Sequence, residues 1–196
     1  TGFTNAKWVD AADLDGDGDI DVLGAGNRAD EIAWWENDGS ESFAKHTLAT
    51  DYDHTTFVQA VDLDSDGDLD VLGTAMGEDV PRDEITWWRN AGDGSFSEAI
   101  TITQSFDGAI NASAADMDND GDLDLLLADA RRADNSRGPA LLINRWPGGG
   151  FVDAAEVDPG NLLGAIRCES DASCVVADFT GDGRCDVFLA AAGQPP

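Results

Sequence analysis

A nine-residue acidic motif occurs four times along this chain, at intervals of about 50–60 residues. The copies span residues 13–21, 62–70, 116–124 and 178–186, and we call them loops 1 to 4. In loops 1 to 3 an aspartate stands at every odd position and a glycine at position 6, where it permits a sharp turn. So many carboxylates repel one another unless a cation lies between them. The chain must therefore fold around repeated acidic turns.

The oxygen atoms of these loops predict sites for a hard divalent cation. Ca²⁺ takes about 6–8 oxygen ligands from carboxylates and backbone carbonyls, and a flexible cage of protein oxygens suits it better than Mg²⁺. The predicted side-chain ligands at positions 1, 3, 5 and 9 are Asp13, Asp15, Asp17 and Asp21; Asp62, Asp64, Asp66 and Asp70; Asp116, Asp118, Asp120 and Asp124; and Asp178, Thr180, Asp182 and Asp186. The predicted backbone-carbonyl ligands at position 7 are Asp19, Asp68, Asp122 and Arg184. We expect loop 4 to be the weakest site, since Thr180 and Arg184 replace aspartates there.

Short apolar segments flank the loops and predict β-strands. One enters each loop at residues 8–12, 57–61, 112–115 and 174–177, and another leaves it at 21–26, 70–75, 124–128 and 186–190. A third strand is predicted at 31–35, 84–88 and 140–143, and a fourth opens with Phe43, Phe96 or Phe151. Each Phe lies eight residues after Trp35, Trp88 or Ile143, which predicts tight hairpins of constant length. No long window has the apolar period of a helix.

Repeated units of four antiparallel strands predict an all-β fold, a β-propeller. We expect one array over residues 1–196, with repeats at about 8–50, 56–103 and 111–157 and a partial repeat at about 173–193. Three blades would then be complete, and the fourth would have only its first two strands. Unpaired strand edges are a liability. The missing strands are therefore expected from a longer parent protein or from another copy of the chain, with a four-bladed ring closed by the termini as the alternative.

The acidic loop, followed by strands such as 21–26, resembles the FG-GAP/VCBS repeat. That repeat occurs in integrin α-subunit propellers and in many secreted bacterial and algal proteins. The likeness extends over nearly the whole chain and is most specific in loops 1 to 3. It implies a calcium-stabilised, secreted or surface-exposed module for adhesion or for binding glycan or protein. Two alternatives stay open: a scaffold segment of a secreted carbohydrate-active enzyme, and a self-assembling structural protein of the surface.

Other calcium motifs do not fit the loops. An EF-hand needs an acidic residue at position 12 and a helix on each side. Position 12 is Gly24, Gly73, Leu127 or Leu189, each within a predicted strand. The calcium-binding β-helix repeat has a much shorter period, rich in Gly-Gly. A solvated acidic turn without metal is the remaining alternative, and it fits loop 4 better than the others.

Charge and motifs exclude several functional classes. The formal net charge of −29 makes nucleic acid and anionic membranes unfavourable partners. No apolar run reaches the length of a membrane span. The two histidines, His46 and His54, lie outside any recognisable nucleophile or metal motif. No catalytic residues are predicted, and we expect the chain not to be an enzyme.

Arginines gather in the predicted connections between strands two and three. They are Arg28, Arg82, Arg131, Arg132 and Arg137. In a propeller these connections lie on the face opposite the acidic loops, so this face could bind an acidic glycan or a protein carboxylate. The alternative is local pairing with neighbouring acidic residues such as Asp30 and Asp134.

Aromatic and sulfur-containing residues give two further expectations. In each tryptophan pair of strand three, one side chain should pack between blades and the other at the outer surface, because successive side chains face opposite sides of a sheet. Cys168 and Cys174 could close a disulfide, while Cys185 at position 8 of loop 4 is expected to be a small buried apolar residue.

Overall fold

The computed structural model describes residues 3–40, 42–77, 83–106, 112–131, 137–154, 173–177, 179–181 and 185–190. These residues contain fourteen β-strands in four antiparallel sheets. The predicted all-β fold is confirmed. Within the described residues no helix is long and apolar enough to cross a membrane.

Three sheets have four strands, and the last has two. Sheet 1 contains β1 (Ala6–Ala12), β2 (Asp21–Gly26), β3 (Glu31–Asn37) and β4 (Phe43–Ala49). Sheet 2 contains β5 (Thr55–Val61), β6 (Asp70–Ala75), β7 (Glu84–Trp88) and β8 (Ile100–Thr103). Sheet 3 contains β9 (Ala112–Ala115), β10 (Asp124–Arg131), β11 (Arg137–Asn144) and β12 (Phe151–Asp153), and sheet 4 contains β13 (Ser173–Ala177) and β14 (Asp186–Ala190).

Strands follow one another in chain order within each sheet. Each acidic loop joins the first strand of its sheet to the second, as predicted. The second strand lies inside the sheet, and β6 is buried at all its positions. A strand buried on both faces is continuously apolar rather than alternating, which explains the runs after the acidic loops.

The hairpin between strands three and four departs from the predicted constant spacing. Trp35 pairs with Val22 and Trp88 with Val71, but in sheet 3 the residue opposite Leu125 is Leu142 rather than Ile143. The predicted equivalence of Ile143 with Trp35 and Trp88 is therefore wrong by one residue, and Leu142 is the equivalent residue. The turn before Phe151 is one residue longer than the turns before Phe43 and Phe96. Counting eight residues back from Phe151 therefore gave Ile143 instead of Leu142.

The fourth strand of sheet 2 also differs from the prediction. Phe96 forms only an isolated bridge with Asn90, and the regular strand β8 begins at Ile100. Phe43 and Phe151 do open their strands. The ends of the fourth strands were thus less predictable than those of the second strands, which lie in the buried middle of each sheet.

The chain forms two compact units, residues 1–104 and 105–196. In the first unit, sheets 1 and 2 bury a shared apolar core. Sheet 1 contributes Leu23, Ile32 and Trp34, and sheet 2 contributes Val58, Val71 and Trp88. In the second unit, Leu126, Leu141 and Ile143 of sheet 3 pack with Val176 and Val187 of sheet 4.

The predicted placement of the tryptophan pairs, one side chain between blades and the other at the outer surface, is confirmed only in part. Trp34 and Trp88 both lie in the core between sheets 1 and 2. Trp35 is partly buried and packs edge-on against Phe3. The expectation of an outer-surface partner is wrong for sheet 2, because Trp87 is also buried, with 1% of its surface exposed.

The predictions for the cysteines fall partly on residues that the structure does not describe. Cys168 lies outside the described residues, and of Cys174 only the strand position in β13 is described. Cys185 is partly buried just before β14. The disulfide therefore stays a prediction.

Candidate metal centre

Two residues in each of loops 1 to 3 adopt left-handed backbone conformations. At position 6, Gly18, Gly67 and Gly121 have φ values of 95°, 99° and 101°, so the predicted need for glycine there is confirmed. Position 4 also has positive φ, at Gly16 (74°), Ser65 (60°), Asn119 (61°) and Gly181 (73°). These two residues curl the loop so that its backbone N–H groups point inward.

The position-1 carboxylate organises this curl. Asp62 accepts the N–H of Asp66 at 3.2 Å on Oδ1 and that of Gly67 at 3.0 Å on Oδ2. Asp116 does the same with Asp120 and Gly121. In loop 1, Asp13 accepts the N–H groups of Gly16 and Gly18. Position 1 is therefore a turn-forming residue as well as a candidate ligand.

The position-9 carboxylate is fully buried and connects three segments of its sheet. Asp70 accepts the N–H of Leu63 at 3.1 Å on Oδ2 and the N–H of Asn90 at 2.8 Å on Oδ1. Asp21 and Asp124 make the equivalent two bonds. These carboxylates thus tie the loop to the end of strand three.

An asparagine completes this connection in three sheets, and the sequence analysis missed it. Asn37, Asn90 and Asn144 each follow strand three or end it, and donate Nδ2–H to the carbonyl of loop position 8. Asn90 also donates to the Leu14 carbonyl of loop 1 at 2.6 Å, joining sheets 1 and 2. The available signal was an asparagine two residues after the strand-three position that Trp35 and Trp88 occupy.

Carboxylates gather at the open side of loops 1 and 2, and in loop 3 the group includes the buried Asp124. Oxygen atoms of three aspartates lie within 4.8 Å of one another in each of loops 1 to 3. The groups are Asp13, Asp15 and Asp17; Asp62, Asp64 and Asp66; and Asp116, Asp118 and Asp124. The structure thus brings together positions 1, 3 and 5 in loops 1 and 2, and positions 1, 3 and 9 in loop 3.

The surroundings of one buried carboxylate oxygen, Asp64 Oδ1, indicate that a cation fits loop 2. The Asp64 side chain is only 3% exposed, and its Oδ1 has no hydrogen-bond partner among the described residues. A buried carboxylate oxygen without a donor is costly unless a cation approaches it. The donor set of hard oxygens matches the preference of Ca²⁺. Asp62, Asp64 and Asp66 would hold the ion in loop 2.

Position-7 side chains lie away from these groups. A Cβ on Gly39 would come within 2.3 Å of the Asp19 carboxylate, and a Cβ on Gly92 within 2.6 Å of that of Asp68. Both carboxylates therefore lie against the turn between strands three and four. This placement is compatible with the predicted use of the position-7 carbonyl rather than the side chain.

Arginines pair with positions 3 and 5 in two loops, which the sequence analysis did not anticipate. Arg89 forms an ion pair with Asp64 through Oδ2 and lies 3.4 Å from Asp66 Oδ2. Arg145 lies 4.0 Å from Asp118 and 3.6 Å from Asp120. No described lysine or arginine forms an ion pair with loop 1.

Burial and mutual repulsion raise the pKa values of several loop carboxylates. Burial, together with the nearby Asp64 charge, raises the pKa of Asp70 to about 6, although N–H donors from Asn90 and Leu63 oppose this. Burial is also the main reason why the pKa of Asp124 is raised. For Asp118, burial and the neighbouring Asp120 charge raise the pKa. Without a cation these groups are held in an environment that disfavours their charge.

Loop 4 is described only in part. Asp178, Asp182 and Arg184 lie outside the described residues. Asp186 Oδ2 accepts the N–H groups of Phe179 and Thr180, both at 2.9 Å. The position-9 contact of loops 1 to 3 is therefore repeated here, while the predicted ligand set of loop 4 stays a prediction.

The predicted arginine face is also only partly described. Arg28 is exposed in the turn between β2 and β3. Arg131 and Arg137 pair with each other across β10 and β11, at the strand ends remote from loop 3, so they end strands rather than lie in a loop. Arg82 and Arg132 lie outside the described residues. The proposed ligand face thus stays a prediction.

The histidines contact acidic neighbours. His46, in β4, stacks on Trp34 and lies 2.7 Å from Glu36 Oε2. His54 Nδ1 lies 2.8 Å from Asp53 Oδ1, and the His54 backbone N–H donates to Asp30. Asp30, Asp53 and His54 also bring potential ligand atoms within 4.8 Å of one another.

Comparison with known proteins identifies the repeat. Residues 13–73 and 76–127 match the FG-GAP-like repeat, which covers more than half of the chain. No curated protein sequence matches significantly. The matched segments contain loops 1 to 3 and their second strands.

Proposed function

The chain belongs to the FG-GAP-like repeat family, and we propose that it is a calcium-stabilised segment of a β-propeller that serves as an extracellular binding module. The carrying observation is the recurrence of three converging carboxylates in each of loops 1 to 3. A single acidic turn is common on protein surfaces. Three at the same place in successive sheets indicate a repeated cation site.

The role of the cation would be structural. Bound Ca²⁺ would neutralise carboxylates that otherwise repel one another. Positions 1 and 5 of loops 1 to 3 already accept backbone N–H groups, so these loops are shaped before an ion arrives. The buried Asp64 Oδ1 supports this role, because protein donors leave it unsatisfied.

The propeller arrangement is supported by the packing within the first unit. Sheets 1 and 2 are four-stranded meanders that share a core, with Trp34 of one sheet and Trp88 of the other in the same cluster. Face-to-face packing of repeated four-stranded sheets is the geometry of neighbouring propeller blades. Sheet 4 has only its first two strands among the described residues. Further strands from a parent chain or a second copy would complete the ring.

A secreted or cell-surface setting is supported by the family and by the proposed need for calcium. Extracellular calcium is abundant enough to fill loops of modest affinity, of about 10⁻⁴–10⁻³ M. The ligand would be a protein or an acidic glycan that binds the face carrying Arg28, remote from the acidic loops. A carbohydrate-active enzyme that uses this segment as a scaffold, and a self-assembling surface protein, are the alternatives.

Calcium titration tests the metal site. Isothermal titration of chelator-treated protein should give at least three bound calcium ions, and Asp62→Asn should remove one of them. Asp51→Asn, the same substitution at an exposed aspartate outside the acidic loops, serves as the control and should keep the stoichiometry. Heat uptake indistinguishable from buffer would reject the calcium assignment.

A glycan and protein-ligand screen tests the binding role separately. Wild type and Arg28→Ala with Arg131→Ala and Arg132→Ala would be compared on sulfated and uronic-acid glycans in calcium. Loss of binding in the triple variant, with an unchanged melting temperature, is the expected result. Equal binding by both proteins would rule out the arginine face as the site.

A further inference from the structure

Loops 1 to 3 differ in one respect: among the described arginines, one reaches loop 2 and another reaches loop 3, but none reaches loop 1. Arg89 follows β7 directly, and its guanidinium lies 5.9 Å from the Trp87 ring while contacting Asp64 and Asp66. Arg145 follows Asn144 and faces Asp118 and Asp120. Each arginine thus contacts the same two loop positions, 3 and 5.

Loop 1 has acidic residues at both corresponding places. The residue before Asn90 is Arg89, whereas the residue before Asn37 is Glu36. The residue after Asn144 is Arg145, whereas the residue after Asn37 is Asp38. The strand register supports this correspondence, because Trp35 and Trp88 pair with the equivalent residues of β2 and β6.

The electrostatic surroundings of loop 1 confirm the contrast. In loop 1, Glu36 and Asp38 add negative charge at the two places where the other loops have arginine. In loop 2, the guanidinium of Arg89 contacts Asp64 and Asp66 directly. Loops 1 to 3 each have five aspartates, but among the described residues only loops 2 and 3 have an arginine paired with them.

We propose that Arg89 and Arg145 act as internal counter-cations that weaken calcium binding by loops 2 and 3, so that loop 1 fills first. This inference rests on the proposed calcium-binding function. A guanidinium near the carboxylates stabilises the calcium-free loop and repels an incoming divalent ion. Calcium affinity in protein loops depends on the charge of the site, and one unit charge at this range changes it by on the order of tenfold.

The arrangement makes the loops differ in how strongly they depend on calcium. Loops 2 and 3 keep part of their structure when calcium is scarce, since the arginines neutralise part of their charge. Loop 1 has its backbone hydrogen bonds but no described arginine, so neutralisation of its carboxylates depends on the bound cation. The consequence is a graded response, in which calcium fills and stabilises loop 1 at a lower concentration than the other two loops need.

Arginine substitutions test the proposal through calcium affinity and melting temperature. Arg89→Ala should bind calcium about tenfold more tightly in loop 2 and melt at a lower temperature than wild type in chelator. Arg89→Lys, which keeps the charge, should stay close to wild type. Arg145→Ala provides a second case in which the paired Asp118 is less buried, with 26% of its side chain exposed, so loss of folding in chelator is a smaller risk.

The reciprocal substitution transfers the arginine to loop 1. Glu36→Arg should weaken the tightest calcium class about tenfold, and Glu36→Gln shows how much of this comes from loss of the glutamate alone. Asp13→Asn should remove the tightest class in isothermal titration, which assigns it to loop 1. Asp62→Asn and Asp116→Asn should each remove a weaker site.

The outcomes separate this inference from the proposed function. If wild type binds calcium but the arginine-to-alanine variants bind it equally or less tightly, the arginines support the sites and the inference fails alone. If the tightest class survives Asp13→Asn, the filling order is wrong. If wild type binds no calcium, the proposed function and this inference fail together.

Discussion

The two ends of each acidic loop use the same residue type but place it in different surroundings. At the buried end, Asp70 is fully enclosed and accepts backbone N–H groups from Leu63 and Asn90. At the open end, Asp62, Asp64 and Asp66 converge, and Asp64 keeps an oxygen without a described donor. The protein itself satisfies the first carboxylate, whereas the second group is the one that the proposed cation would balance.

This difference separates two roles that the sequence pattern presents as one. The buried end connects loop, second strand and third strand through hydrogen bonds within the protein. The open end would add to stability once a cation balances its charge. Substitutions at the two ends should therefore differ in whether their effects depend on calcium.

The largest expected effect is at the buried end. Asp70→Ala would leave two buried N–H groups without an acceptor, at about 1–3 kcal/mol for each. We expect the free energy of unfolding to fall by about 2–4 kcal/mol, in chelator as well as in calcium. Urea unfolding under both conditions measures this. A loss seen only in calcium would show that Asp70 acts through the metal rather than through its backbone bonds.

The pH dependence of the calcium-free protein should also come from the buried end. The pKa of Asp70 is raised from 3.8 to about 6 in the folded protein, so folding favours its protonated form. Stability from this group is complete below pH 3.8 and is lost as the pH rises through about 6. In chelator, the protein should melt at a higher temperature at pH 5 than at pH 7. An equal or lower melting temperature at pH 5 would contradict this.

Substitution of the asparagines measures how much their contacts with the carbonyl groups of the acidic loops stabilise the protein. Asn90 donates to two carbonyls, including Leu14 of the adjacent sheet, whereas the Asn37 side chain donates only to Ile20 among the contacts described. Asn90→Ala should cost about 1–3 kcal/mol and Asn37→Ala about 1 kcal/mol or less. Equal costs, measured by chemical denaturation, would mean that the contact between sheets adds nothing.

The smallest effect expected in chelator is at the open end. Asp17 is exposed and belongs to the loop 1 carboxylate group. Asp17→Asn reduces repulsion, so the calcium-free protein should be unchanged or more stable by a few tenths of a kcal/mol. The stabilisation by calcium should fall by about 1–2 kcal/mol, as the linkage between binding and folding requires. Thermal melts across a calcium series would reveal an undiminished gain if Asp17 were not a ligand.

The sequence predicted what depends on local pattern. β2, β6 and β7 begin and end where the residues indicated, since glycine turns and apolar runs define them. The shift at Leu142 was not predictable, because no tryptophan marks the register of sheet 3 and its turn is one residue longer.

Tertiary contacts account for the features of the site that the sequence did not predict. Asn37 lies 16 residues after Asp21, whereas Asn90 lies 20 residues after Asp70. A variable connection therefore separates the two partners of each contact. The pairs of Arg89 with loop 2 and of Arg145 with loop 3 arise only when strand three returns beside its acidic loop. Local spacing identified the carboxylates but not the groups that satisfy them.

The most direct test of calcium stabilisation is thermal unfolding of the whole chain before and after exhaustive chelation. Several sites filled well above their dissociation constants should raise the melting temperature by about 5–10 °C in calcium. Calcium added back after chelation should restore the shift, and magnesium at the same concentration should give less of it. An identical melting curve in chelator and in calcium would contradict the account.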